Sequence, residues 1–162
     1  MHTTVRKLLC FSLALVFSTT TIIAKAQRTA AVIPAPPPPQ ISAAHTIFIS
    51  NGGAPTAFVD YTGGADRPYN SFYSAIQQWS HYQIVTSPSQ ADLIFEISGH
   101  VSSSSYVGTD NIPYSVYQHA LVLHVIDPKA NTVIWTLAAN IQQRGLKGTR
   151  DKRFDAATTV LI

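Results

Sequence analysis

The sequence predicts an α+β fold, a mainly antiparallel sheet of four to five strands with two helices on one face, set behind an export signal and a proline-rich tether. Three observations predict it. One helical stripe lies between short β-prone runs, two strongly β-prone runs flank a proline-containing turn, and a further amphipathic stretch closes the chain.

In chain order, Thr46-Ile47-Phe48-Ile49-Ser50 is an apolar run halted by Asn51-Gly52-Gly53, which reads as a strand ended by a turn. A glycine-rich loop then runs through Gly63-Gly64. Asp66 is expected to cap a helix, with Pro68 tolerated in its first turn. Tyr69, Phe72, Tyr73, Ile76 and Trp79 recur at helical spacing and form one stripe. Tyr69, Phe72, Ile76 and Trp79 are expected to bury against Leu93, Phe95 and Ile97, with Trp79→Ala costing about 3 kcal/mol or more. The helical connection leaves room for one parallel strand pair.

Residues 83–86 read as a short strand and 87–90 as a turn. From Asp92 to Gly99, Leu93, Phe95 and Ile97 alternate with Ile94, Glu96 and Ser98, giving one core face and one partly wet face. The serine run Ser102 to Ser105, continuing to Pro113, reads as a flexible loop, although Tyr106-Val107 is able to extend a strand. Residues 117–126 and 132–142 are β-prone and joined by Asp127-Pro128-Lys129-Ala130-Asn131, so they are expected to form an antiparallel hairpin. Its core face is taken as Leu121, Leu123 and Val125, which leaves His124 outside. Trp135 is expected to share a core face with Val133 and Leu137. Last, Asp151 is expected to cap a helix carrying Phe154, Ala157 and Leu161 on one side. Its apolar ending, Val160-Leu161-Ile162, has no terminating glycine, so the helix reads as cut short or as packing its end against something.

The 162 residues divide by composition. Arg6 and Lys7 precede the apolar stretch from Leu8 to Ala24, and Ala24-Lys25-Ala26 supplies small residues at both recognition positions, the layout of a secretory signal cleaved before Gln27. An uncleaved anchor is the competing reading. Residues 1–26 are thus expected as signal peptide and 27–44 as linker, where Pro34 to Pro39 favours an extended polyproline spacer. Residues 45–162, about 118 in all, are enough for one core. The expected location is exported, in the periplasm or outside the cell. Eleven basic residues less Arg6, Lys7 and Lys25 leave eight, against eight acidic ones, so the mature chain is near neutral. Cys10, the single cysteine, lies in the signal, which excludes thiol and disulfide chemistry from the mature domain.

Several segments carry a family likeness: Asp66-Arg67-Pro68-Tyr69-Asn70 with Phe72-Tyr73, Ala91-Asp92-Leu93-Ile94-Phe95-Glu96, Asp127-Pro128-Lys129 with Thr132 and Trp135, and Arg150-Asp151-Lys152-Arg153-Phe154-Asp155. Together they resemble uncharacterised secreted proteins of acidobacterial soil bacteria. More distantly they are similar to bacterial envelope lipoproteins of unknown function that share the Ala-Asp-Leu strand and the Asp-Pro-Lys…Trp hairpin. The likeness spans about residues 45–162 and implies fold and location, with no catalytic residues to carry over. The lipoprotein cysteine is missing, and the relatives' final helix is longer.

The residues offer few constellations for chemistry. His119 and His124, five apart on one strand, point to opposite faces and cannot share a metal without a bulge. His124 is placed to meet Glu96 or His100 across a strand pair, a weak metal or acid/base candidate against the plainer reading of a solvated sheet face. Ser102 to Ser105, His100 and Asp110 make a triad only on paper, since no strand-turn-helix frames a nucleophile. Gly63-Gly64-Ala65-Asp66 lacks the spacing of a phosphate loop, and a structural cap explains it. Arg144, Lys147, Arg150, Lys152 and Arg153 make a basic stretch without interleaved aromatics, so nucleic acid is not an expected partner.

The expected function is therefore a secreted or cell-envelope, non-enzymatic accessory or binding module acting through its sheet or hairpin. The alternatives are a hydrolase using loop residues and a structural envelope component. Candidate binding residues are Tyr106, Tyr114, Tyr117, Arg144, Lys147 and Arg150. No catalytic residue, metal or cofactor is expected. The partner is expected to be an envelope protein or a cell-wall component, with membrane contact only through the signal if it is uncleaved.

Overall fold

A computed structural model of the chain describes residues 36–143 and 145–162. The expected signal, its cleavage site and the first part of the tether lie outside the described residues, as does Arg144. In chain order the elements are helix α1 (Pro39–Ala43), strand β1 (Thr46–Gly53), helix α2 (Arg67–Trp79), strands β2 (Gln83–Ile84), β3 (Leu93–Val107), β4 (Pro113–Asp127) and β5 (Thr132–Ile141), and helix α3 (Lys147–Val160). Short 3-10 turns stand at Thr56–Asp60, Gly64–Asp66 and Pro88–Gln90.

The class is α+β, with a five-stranded sheet in the order β2-β1-β3-β4-β5. It is mainly antiparallel, as expected, but mixed, with two parallel pairings where the sequence left room for one. β1 runs parallel to both β2 and β3, and β3, β4 and β5 are antiparallel in turn. The helix α2 between β1 and β2 is the crossover that parallel pairing requires. On one face, Ile47, Ile49, Phe95, Ile97, Leu121 and Leu123 are buried beneath Phe72 and Ile76 of α2 and Phe154 and Ala157 of α3. The opposite face carries ladders that cross the strands, one of them Phe48, Ile94, Ile126 and Val133 in register.

The α2 stripe forms as its spacing predicts, up to its last turn. Trp79 departs from it, remaining 45% exposed and stacked on His81 with ring centroids 4.8 Å apart. Tyr82 occupies the core position instead. Its ring packs on Phe95 at 5.5 Å, and its hydroxyl donates to the Ile41 carbonyl at 3.0 Å. The chain can reverse there because Ser80 takes φ 56° immediately after the helix.

Neither expected carboxylate cap forms. Asp66 makes no capping side-chain bond. α3 begins at Lys147, four residues before Asp151, with Leu146 at the cap position. Asp151 is used otherwise, accepting hydrogen bonds from the Thr62 amide at 3.0 Å and the Thr62 hydroxyl at 2.7 Å. Arg67, the first residue of α2, bridges Asp151 and Asp155, and its guanidinium lies 4.6 Å from the Phe154 ring centre. This clip fastens the start of α2 to α3.

The β4–β5 hairpin has the predicted register over most of its length: Trp135 opposes Val125 and Leu137 opposes Leu123, all on the helix-covered face. Val133 does not join them. The pairing shifts between Val125 and Ile126, so Ile134 is the extra residue of a bulge and Val133 is turned, exposed, to the other face. Asp127 closes the turn by accepting from the Lys129 amide at 2.8 Å.

Two carboxylates make acid stability a test of this arrangement. Asp92 accepts from the His45 and Thr46 amides, which hold its pKa down at about 2, and the Thr62 amide and hydroxyl lower that of Asp151. Both folded values lie below the unfolded one, so the stabilisation is present above pH ~3.8 and is lost as pH falls towards 2. Melting temperature should therefore drop on acidification through that window. The Asp92→Asn, Asp151→Asn double variant should start lower at pH 6 and lose less. Parallel melting curves for the two proteins would refute the assignment.

Candidate functional site

The first candidate region is a ribbon that the sequence reading placed in a loop. β1 stops pairing with β3 at Ser98, and β5 stops pairing with β4 at His119, yet β3 and β4 continue together to the Val107–Pro113 pair. They are joined by a turn in which the Gly108 amide bonds the Ile112 carbonyl at 3.0 Å and Asn111 takes φ 60°. The serine run gave no apolar period, because this strand is held by pairing and not by burial. Residues 102–107 and 113–118 are exposed on both faces.

The ribbon separates the three candidate tyrosines. Tyr106 and Tyr114 are directly opposed and stacked, with ring centroids 5.8 Å apart at 25°. Tyr117 opposes Ser103 on the other face, the face continuous with the core, and is 60% exposed. The paper triad is not assembled: His100 stands at the base of the ribbon opposite Ala120, and Asp110 serves the tip by accepting from the Ile112 amide. Seven strand residues at ~3.3 Å each put on the order of 20 Å between them.

The second region is a notch at the ribbon's base, where β5 ends and β4 runs on. A cleft of about 400 Å³ is lined there by Tyr117, Gln118, His119, Asn140, Gln142 and Gln143. An adjoining cleft of about 440 Å³ shares Tyr117, His119 and Gln143 and adds Ala57, Asp60 and Arg150. His119 is the fixed point between them. Its ring is only 4% exposed, stacks on Phe58 at 5.3 Å and 19°, and meets the Tyr61 edge at 5.7 Å.

The hydrogen bonds suit one tautomer of its ring. Gln143 Nε2 donates to the Tyr61 hydroxyl oxygen, so the Tyr61 proton is free to go to His119 Nδ1, 3.2 Å away. The imidazole proton is then on Nε2. Among the described residues that atom has no partner, and it is not sealed from solvent. Burial lowers the His119 pKa and raises that of Tyr61, keeping both groups neutral near pH 7. Arg150 lies 4.0 Å from Asp60. The notch thus offers hydrogen-bond donors and acceptors in a preset arrangement.

Of the basic candidates, Lys147 is exposed in the first turn of α3, while Arg150 is half-buried against the notch. Arg153 donates to the Gln142 carbonyl at 3.4 Å. Sequence reasoning placed His119 on the core face but missed Tyr61 and Gln143, since a tyrosine in a glycine-rich stretch and a glutamine after a strand carry no spacing cue. His124, on the opposite face, bonds Thr136 Oγ1 at 3.0 Å and opposes Glu96, the cross-strand meeting its position allowed. Among the described residues no group of three or more metal-ligating side chains converges.

No family model matches this chain, and no curated protein does. It is similar to solved structures of low identity. A DUF330 protein of Xanthomonas campestris is 12% identical with a TM-score of 0.45, the match covering 73% of this chain and 78% of that one. A PelC dodecamer subunit from Paraburkholderia phytofirmans gives 12%, 0.40, 72% and 86%. The lipoprotein GNA1162 from Neisseria meningitidis gives 12%, 0.37, 72% and 97%. A bacterial lipoprotein is thus among the solved chains to which this one bears a distant similarity.

Proposed function

We propose that this chain is an exported, non-enzymatic protein of the bacterial envelope that acts as a binding module, holding an extended segment of a protein partner along the β3–β4 ribbon. The observation that carries this is the ribbon itself. A two-stranded ribbon is marginal in water by itself, and its outer edges present unpaired N–H and C=O groups to any strand that can align with them. Natural edges are commonly blunted with charge, but residues 101–118 contain only Asp110, at the turn. Exposed Tyr106, Tyr114 and Val116 supply side-chain contacts on one face, and strand addition needs main-chain bonds together with such contacts. The signal layout around Ala24-Lys25-Ala26 supports export with residues 1–26 removed, the linker then tethering the domain.

The test uses the exported chain with a photoreactive residue replacing Tyr114, or replacing exposed Gln77 on α2 as a control, in envelope extract of its source bacterium. A discrete cross-linked species at Tyr114 and none at Gln77 is expected, and it should fade when Tyr106 and Val116 are changed to Ser. Equal labelling at the two positions, or none at Tyr114, would sink the proposal.

A further inference from the structure

We propose that the notch at the base of the ribbon is a binding site for an uncharged saccharide, with Tyr117 as its stacking platform and the Gln143 carboxamide, His119 Nε2 and the Asp60–Arg150 pair as its hydrogen-bonding wall. This goes beyond the ribbon reading and stands apart from it, because a small ligand in the notch needs no partner on the ribbon edges.

The clefts, about 400 and 440 Å³, fall in the lower part of the ~300–1,000 Å³ range usual for small-molecule sites. Gln143 borders both clefts, and its carboxamide is fixed on the His119 side by its bond to Tyr61. A carboxamide carries a donor and an acceptor side by side, which matches a pair of neighbouring hydroxyls, themselves both donor and acceptor. Tyr117 offers an exposed aromatic face for the apolar C–H side of a sugar ring. An ionic ligand fits less well. Asp60 and Arg150 oppose each other in the wall, so an anion meets Asp60 and a cation meets Arg150. Burial keeps His119 neutral as well.

The wall is also built in advance. His119 is held by the Phe58 stack and the Tyr61 hydroxyl, and the Gln143 amide is held by the same hydroxyl, so few rotamers remain to be ordered on binding. β4 has no β5 partner beyond His119, which leaves the main chain of Tyr117 and Gln118 beside the cleft.

The experiment is a titration of the 15N-labelled exported chain with glucose, N-acetylglucosamine and cellobiose, with glucuronate and glucosamine as charged controls. Saturable shifts are expected for the Tyr117 and His119 amides and the Gln143 side-chain amide with at least one neutral sugar. Tyr117→Ala should weaken that binding about tenfold or more at unchanged melting temperature. Should that variant melt early, Gln143→Ala, in the segment after β5, is expected to weaken binding severalfold. Absence of saturation with every neutral sugar, equal binding by the variants, or tighter binding of either charged control overturns the proposal. Cross-linking through Tyr114 is unaffected by any of these results, so the two readings fail separately.

Discussion

Phe154→Ala is expected to lower the unfolding free energy by about 3–5 kcal/mol, the range for removing a fully buried aromatic ring. The ring is buried completely and meets Tyr61 at 5.3 Å and Phe58 edge-on at 6.5 Å, while the Arg67 guanidinium covers it at 4.6 Å. The start of α3 does little by itself to hold the helix. It starts without a side-chain cap and with Lys147 in its first turn, where a positive charge opposes the helix dipole. Docking of Phe154, Ala157 and Leu161 therefore decides whether the helix forms, and truncating the largest of them also loosens the Arg67 clip. Urea unfolding should show the loss, accompanied by faster hydrogen exchange in α3. Trp79→Ala is the matched control, expected to cost no more than about 1 kcal/mol because half of that side chain is already in water. If the two variants lose equal stability, α3 is not docked through Phe154.

The same contrast shows what the sequence carries and what it leaves out. Phe72 and Ile76 were legible because helical spacing and burial coincide, and Trp135 and Leu137 because alternation fixes a face once one partner strand is known. Trp79 fitted the helical period equally well, but the core position went to Tyr82, and periodicity does not report competition between residues on different elements. Ile134 was missed for a related reason, since a bulge breaks alternation without leaving a turn residue behind. The ribbon was missed because its strands are stabilised by each other and by no core. In the site, His119 was legible as an inward residue of β4. Its partners Tyr61 and Gln143 lie 58 residues before it and in the segment after β5, and only the tertiary fold brings them to one imidazole.

Gly99→Ala is expected to destabilise the domain by about 1–3 kcal/mol and to disturb the notch at the same time. Gly99 opposes Leu121 on the core face of β3, and a Cβ added there would stand 2.6 Å from Phe58 Cζ and 2.7 Å from the Ala54 Cβ. The Gly99 backbone does not require glycine, as its φ is not positive, so the cost is steric. Phe58 is completely buried, and its ring is stacked on His119, so it cannot withdraw into solvent and must push on the imidazole. The His119 ring proton resonances should therefore move along with the fall in stability. Gly148→Ala is expected to act in the opposite direction: an added Cβ there meets nothing within 4 Å, and replacing a glycine in the first turn of α3 should gain up to ~1 kcal/mol of helix propensity. Shrinking the obstruction gives the decisive comparison. In the Gly99→Ala background, Phe58→Leu should cost less than it does in the parent chain, because the two sites share one contact and their effects do not add. Simple additivity, with unmoved His119 resonances, would mean that Phe58 does not fill the space above Gly99.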